Sequence, residues 1–122
     1  MTKEAAIYNF WAGFEIPAYE ENSVPDNAPQ MYITFEQSSS YWGEQVALSA
    51  NIWHKNVTSY LALYAKAKQI RDYLGLGGVN LICDEGSITL RQGTPFMLNG
   101  ADDDGNTKQL YINVTADFNT EV

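Results

Sequence analysis

From Lys108 to Phe118 the chain alternates strictly: Leu110, Ile112, Val114, Ala116 and Phe118 interleave with Gln109, Tyr111, Asn113, Thr115 and Asp117. A period of two with one polar face predicts a strand covered on its apolar side only. Met31 to Gln37 follows the same rule, with Met31, Ile33 and Phe35 opposite Tyr32, Thr34 and Glu36. So does Gln45 to His54, with Val46, Leu48, Ala50 and Ile52 on one side and Gln45, Ser49 and Asn51 on the other. The linker between these two strands holds Ser38, Ser39, Ser40 and Gly43, with Tyr41 and Trp42 inside it. A short turn-rich linker predicts an antiparallel hairpin. Val79 to Cys83 and Ser87 to Gln92 read as two more strands around an Asp84-Glu85-Gly86 turn. Gly93, Thr94 and Pro95 break the second, and Phe96, Met97 and Leu98 form a separate short apolar run.

Two stretches follow the helical period instead. Thr2 to Phe14 places Ala5, Ile7, Phe10, Trp11 and Phe14 at mostly helical spacing, ending near Gly13 and before Pro17. Thr58 to Leu74 is the longer helix, its apolar positions being Tyr60, Leu61, Tyr64, Ala67, Ile70 and Leu74. Thr58 or Asn56 can cap it, Lys66, Lys68 and Arg71 lie in its second half, and Gly75, Gly77 and Gly78 end it. Between helix and first strand, Glu15 to Gln30 carries Pro17, Pro25 and Pro29 and is expected to be an extended connector without an element of its own. The order α-β-β-α-β-β-β predicts an α+β fold: a mostly antiparallel sheet with one long and one short helix packed on one face. No repeat or boundary divides the chain, so residues 1–122 are expected to form one domain.

Composition narrows the function. Fifteen acidic residues against seven basic ones give a net charge of -8. That disfavours sequence-specific nucleic-acid binding and an anionic membrane surface. With 45% hydrophobic and 18% charged residues, wholesale disorder is not expected. One cysteine excludes an internal disulfide framework and fits a reducing compartment. The N-terminal stretch is too short and too mixed for a secretory signal, and no apolar run is long enough for a membrane helix. The Asn-x-Thr matches at Asn56 and Asn113 are expected to be chance.

Candidate chemistry is sparse. His54 is the single histidine, so a His-based zinc cluster within one chain is excluded. Cys83 is followed by Asp84 and Glu85, whose charges oppose thiolate formation. The Gly75-Leu76-Gly77-Gly78 run follows a helix instead of opening one, which suits a cap and not a phosphate cradle. Asp102, Asp103 and Asp104 invite a calcium reading, but a loop starting at Asp102 has Thr107 where an EF-hand needs glycine and Asn113 where it needs glutamate. A solvated acidic loop is expected, with weak divalent binding as the alternative. Glu20/Glu21 and Asp84/Glu85 are adjacent pairs without the apolar setting that raises a carboxyl pKa. No catalytic, cofactor-binding or metal-binding residue is assigned, and an enzyme is not expected. Lys68 and Arg71 share a helix face that is either simply solvated or meets an acidic partner, while Lys66 points elsewhere.

The aromatic residues say more. Three tryptophans and eight tyrosines are many for 122 residues. Tyr41 and Trp42 in a serine-rich loop, and Trp53 and Tyr111 on polar strand faces, are expected to form a protein–protein surface, unless the domain covers both faces of its own sheet. The candidate interface is therefore Tyr41, Trp42, Trp53, Tyr111, Lys68, Arg71, Asp102, Asp103 and Asp104.

Several segments together resemble a known family: Phe10–Tyr19 (FWAGFEIPAY), Asn22–Asp26 (NSVPD), Tyr32-Ile33-Thr34, Val46–Trp53 (VALSANIW), Gly77–Ser87 (GGVNLICDEGS), Gln92–Phe96 (QGTPF) and Tyr111–Ala116 (YINVTA). In order along nearly the whole chain they are similar to small tail-completion or minor capsid proteins of phages and prophages of Gram-positive bacteria, in particular the tail terminator type. The resemblance implies a non-enzymatic virion protein without cofactors, assembled in the host cytoplasm. It would form a homo-oligomer, usually a hexameric ring, that caps the tail tube and meets both the tail tube protein and the head–tail connector. Structural roles are implied for Pro17, Tyr19, Pro25, Trp53, Pro95 and Phe96. A head-side connector or minor capsid component, or an intracellular protein-binding adaptor, is the alternative. Two further expectations concern assembly. The long strand Lys108 to Phe118 is a candidate sheet edge for pairing between subunits. Charge is segregated as well: Met1 to Glu44 has one base and seven acids while the long helix carries three bases, which would favour head-to-tail docking, and a strongly acidic ring lumen would repel DNA.

Overall fold

The computed structural model describes residues 1–37, 41–100 and 106–120. The elements run α1 (Lys3–Ala12), β1 (Ala18–Glu20), β2 (Met31–Phe35), β3 (Gln45–His54), α2 (Leu61–Leu74), β4 (Val79–Ile82), β5 (Gly86–Asn99) and β6 (Lys108–Thr120). The fold is α+β, with two helices and one mixed six-stranded sheet in the order β1-β2-β3-β6-β5-β4. β1 and β2 pair parallel, and the other four neighbouring pairs are antiparallel.

The alternation read from the sequence sets the two faces. Leu110, Ile112, Val114, Ala116 and Phe118 are buried together with Ile33, Phe35, Leu48, Ala50, Ile52, Ile88 and Leu90. Both helices lie on this inner face. Thr2 caps α1, its Oγ1 accepting the Ala5 N–H at 3.1 Å, and α1 buries Ala6, Ile7, Phe10 and Trp11. Ala5, expected inside, is exposed. α1 touches β1, β2 and β4, so this one helix spans the two ends of the strand order. Covering sheet edges with a helix is one way a fold keeps unpaired backbone groups from templating aggregation.

Several expectations change. The proline-rich connector contains β1, because Pro17 lies just before the strand and costs it no ladder N–H. α2 starts at Leu61, later than expected. Asn56 has φ +60°, a turn conformation and not the extended one of a helix cap, and it is the Ser59 hydroxyl that accepts the Leu61 N–H. The buried stripe of α2 is accordingly Leu63, Ala67, Ile70 and Leu74, whereas Leu61 is 76% exposed and Tyr64 lies at the rim. Gly75 closes the helix, its N–H meeting Arg71 O at 2.9 Å, and the Gln92 side chain donates to Gly75 O at 3.0 Å. The break at Gly93–Pro95 is a register shift between Gln92 and Met97 inside one long strand, so the Phe96–Leu98 run belongs to β5. Finally, β6 is not an edge: it pairs with β3 on one side and β5 on the other, so it cannot extend the sheet to another subunit.

Candidate functional site

The outer face of the sheet, away from both helices, carries the polar half of every alternation. Its side chains are tied to each other across the strands. Asn119 donates to Thr89 Oγ1 at 3.0 Å and Thr89 donates to Asn80 Oδ1 at 2.7 Å, linking β6, β5 and β4. Asp117 accepts from Gln45 at 2.7 Å and from Arg91 at 2.6 Å, linking β3, β6 and β5. Gln109 donates to Asn51 at 2.7 Å, and Ser49 donates to Glu36 at 3.2 Å. Such pairs are the unit of sheet stabilisation.

Beside this lattice stands an aromatic ladder on β1, β2 and β3. The Tyr19 ring meets Tyr32 edge-on at 5.9 Å, and Tyr32 stacks on Trp53 at 6.4 Å. Trp53 Nε1 donates to Thr34 Oγ1 at 2.8 Å, and Lys55 Nζ lies 5.6 Å from the centre of the Tyr32 ring while bonding to Ala28 O. Burial, and then the neighbouring Tyr19, push the Tyr32 phenol above its ordinary pKa, so it stays protonated through the physiological range. Tyr111, paired in register with Asn51 and Leu98, continues the face on β6. Trp53 and Tyr111 thus lie where the alternation placed them, both half-buried. The adjoining Tyr19 and Tyr32 were not among the candidates. Tyr32 was legible from its place opposite Ile33, whereas Tyr19 was hidden by the connector reading.

The remaining candidates are scattered. Tyr41 is 78% exposed; its backbone N–H donates to the Glu44 carboxylate at 2.6 Å and its carbonyl accepts the Glu44 N–H at 3.2 Å. Trp42 is half-buried: Nε1 donates to Glu85 at 3.0 Å, its ring meets Phe118 edge-on at 5.9 Å, and Lys3 lies over it. Its contacts are already made within the chain. Lys68 and Arg71 share Asp72, at 2.6 and 3.9 Å. The hydrogen bond from Lys68, ahead of any Coulomb effect, holds the Asp72 carboxyl below its ordinary pKa. They flank a groove of 210 Å³ between α2 and the β5 bulge, lined by Tyr64, Ala67, Phe96 and Met97. Lys66 does point elsewhere, bonding Phe14 O at 2.7 Å. Asp102, Asp103 and Asp104 lie outside the described residues.

His54 and Cys83 are not brought together. His54 pairs with Lys108 at one end of β6, while Gly86, which accepts the Cys83 N–H, pairs with Thr120 at the other. At about 3.3 Å per residue the two ends of β6 are roughly 40 Å apart along the strand. Burial raises the Cys83 thiol above its ordinary pKa, the wrong direction for a nucleophile. His54 lines an open groove of 630 Å³ with Asn56, Thr58, Ser59 and Leu61. Among the described residues, no three His, Cys, Asp or Glu side chains are grouped to hold a metal ion. No described helix is long and apolar enough to cross a membrane.

No protein-family model matches this chain, and no curated protein matches it in sequence. One solved structure superposes with a TM-score of 0.66 over 98% of this chain and 92% of that chain, at 10% identity. At that identity the likeness is one of fold.

Proposed function

We propose that the chain is a structural subunit of a phage or prophage virion, a tail terminator that closes the growing tail tube as a ring and joins it to the head-side connector. The observation that carries this reading is the outer sheet face. A structural subunit needs stiff surfaces of fixed shape, and here a lattice of cross-strand hydrogen bonds runs beside the Tyr19–Tyr32–Trp53 ladder. Aromatic side chains bring large contact area at low entropic cost, which suits an interface. His54 and Cys83 sit by opposite ends of β6. The segments quoted above resemble that family along nearly the whole chain. The test is an electron-microscopy map of purified virion necks. The expected result is a ring of this subunit between tail tube and connector, and its presence on the head side of the connector would favour the minor capsid alternative instead.

A further inference from the structure

In a chain of net charge -8, the groove between α2 and the β5 bulge joins apolar walls to basic rims. Lys68 and Arg71 are 64% and 45% exposed, and they share the single Asp72 carboxylate, so a positive charge is left over at the rim. Other basic side chains are engaged inside the fold: Lys55 with Ala28 O and Tyr32, Lys66 with Phe14 O and Gln69, Arg91 with Asp117. At the far end of the sheet, the chain runs from the last residue of β1 as Glu20-Glu21-Asn22-Ser23-Val24-Pro25-Asp26. Its shape is fixed by backbone bonds from Glu21 to Phe35 O, Ser23 to Glu20 O and Ala28 to Pro25 O. Among the described residues, Glu20, Glu21 and Asp26 make no ion pair. Half-buried Val24 and exposed Pro25, apolar with acids on both sides, are the complement of an apolar groove with basic rims. β2, β3 and β6 separate β1 from β5 in the sheet.

We propose that this groove receives the 20–26 turn of a second copy of the chain, Val24 and Pro25 entering between Tyr64, Phe96 and Met97 while the flanking carboxylates meet Lys68 and Arg71. The contact joins two different surfaces, so it repeats head to tail and closes into a ring when the rotation allows. It rests on the ring reading above and assigns that ring its subunit contact. Docking a preformed turn costs less ordering entropy than docking a loose one.

Sedimentation velocity over a concentration series tests it with wild type, Arg71→Glu, the pair Glu20→Lys with Glu21→Lys, and all three combined. Wild type is expected to associate reversibly and less strongly as salt rises. Each charge reversal should weaken association about tenfold or more, and the combined variant should recover most of the loss. Val24→Ser changes no charge and tests the apolar half, so the proposal stays testable if a charge variant fails to fold. A wild type that is monomeric at every concentration, or association indifferent to all these changes, overturns the proposal. Association indifferent to them leaves the ring reading standing. Association through this contact by a chain that ignores tail tubes sinks the tail reading instead.

Discussion

The two faces of the one sheet are built from the same strands on opposite principles. On the inner face, β6 presents Leu110, Ile112, Val114 and Phe118 to the helices, each buried to within 1%. On the outer face the same strand presents Gln109, Tyr111, Thr115 and Asp117, all half-buried and several hydrogen-bonded across the sheet. The inner face holds the fold together by excluding water. The outer face holds a shape, because its polar groups bond each other and its rings stack. A surface of fixed shape whose polar groups are largely paired can meet a partner without first reorganising. The comparison teaches that alternate residues of one strand can bury a core on one side and set the shape of an exposed face on the other.

That division can be broken at stated points. The largest effect is expected at Phe118→Ala, which empties a packed inner position beneath Trp42 and should cost about 3–5 kcal/mol in urea unfolding. Thr115→Ala, three residues earlier on the outer face, should stay within about 0.5 kcal/mol. Equal losses for the two would show that the faces are not distinct. Trp53→Phe keeps a ring in the ladder but leaves Thr34, 6% exposed, without its donor, and should cost about 1 kcal/mol. A double-mutant cycle of Arg91→Ala and Asp117→Ala should give a coupling of about 0.2–1 kcal/mol, since Arg91 is half-exposed.

The smallest effect concerns pH. Asp72 has its folded pKa lowered from 3.8 by the Lys68 hydrogen bond. A depressed carboxyl pKa stabilises above the unfolded value and is lost as pH falls through the folded one. The stability difference between wild type and Asp72→Asn should therefore be constant near neutrality and shrink as pH drops below 3.8. A difference that instead grows on acidification would contradict the pairing. Removing Asp72 also frees both cations at the groove rim, so the same variant should associate more tightly if the acidic turn docks there.

The faces themselves were legible in the sequence, because period two is a local signal and each of β2, β3 and β6 obeys it. What escaped was set by partners distant in the chain. β1 is only three residues long and exists because β2 offers it a free edge. β5 continues through Gly93 and Pro95 because β6 runs unbroken beside it, and pairing resumes at Met97 opposite Ile112. α2 turned its Leu63 stripe inward, not the Leu61 and Tyr64 one, because the chain is still in a turn at Asn56 and the helix begins late. Of the candidate surface, Trp53 and Tyr111 were readable from alternation alone. The hold on Trp42 was not readable, because Glu85, Phe118 and Lys3, which contact it, are remote in sequence. The groove beside Lys68 and Arg71 needed the bulge that brings Phe96 and Met97 against α2.

The most direct measurement is the length distribution of tail tubes polymerised in vitro with and without the purified chain, read by negative-stain microscopy. A tail terminator added to growing tubes should arrest them, with a narrow length distribution and a closed density at one end of each tube. Tubes that keep lengthening, with bare ends and the chain left free in solution, would contradict the account.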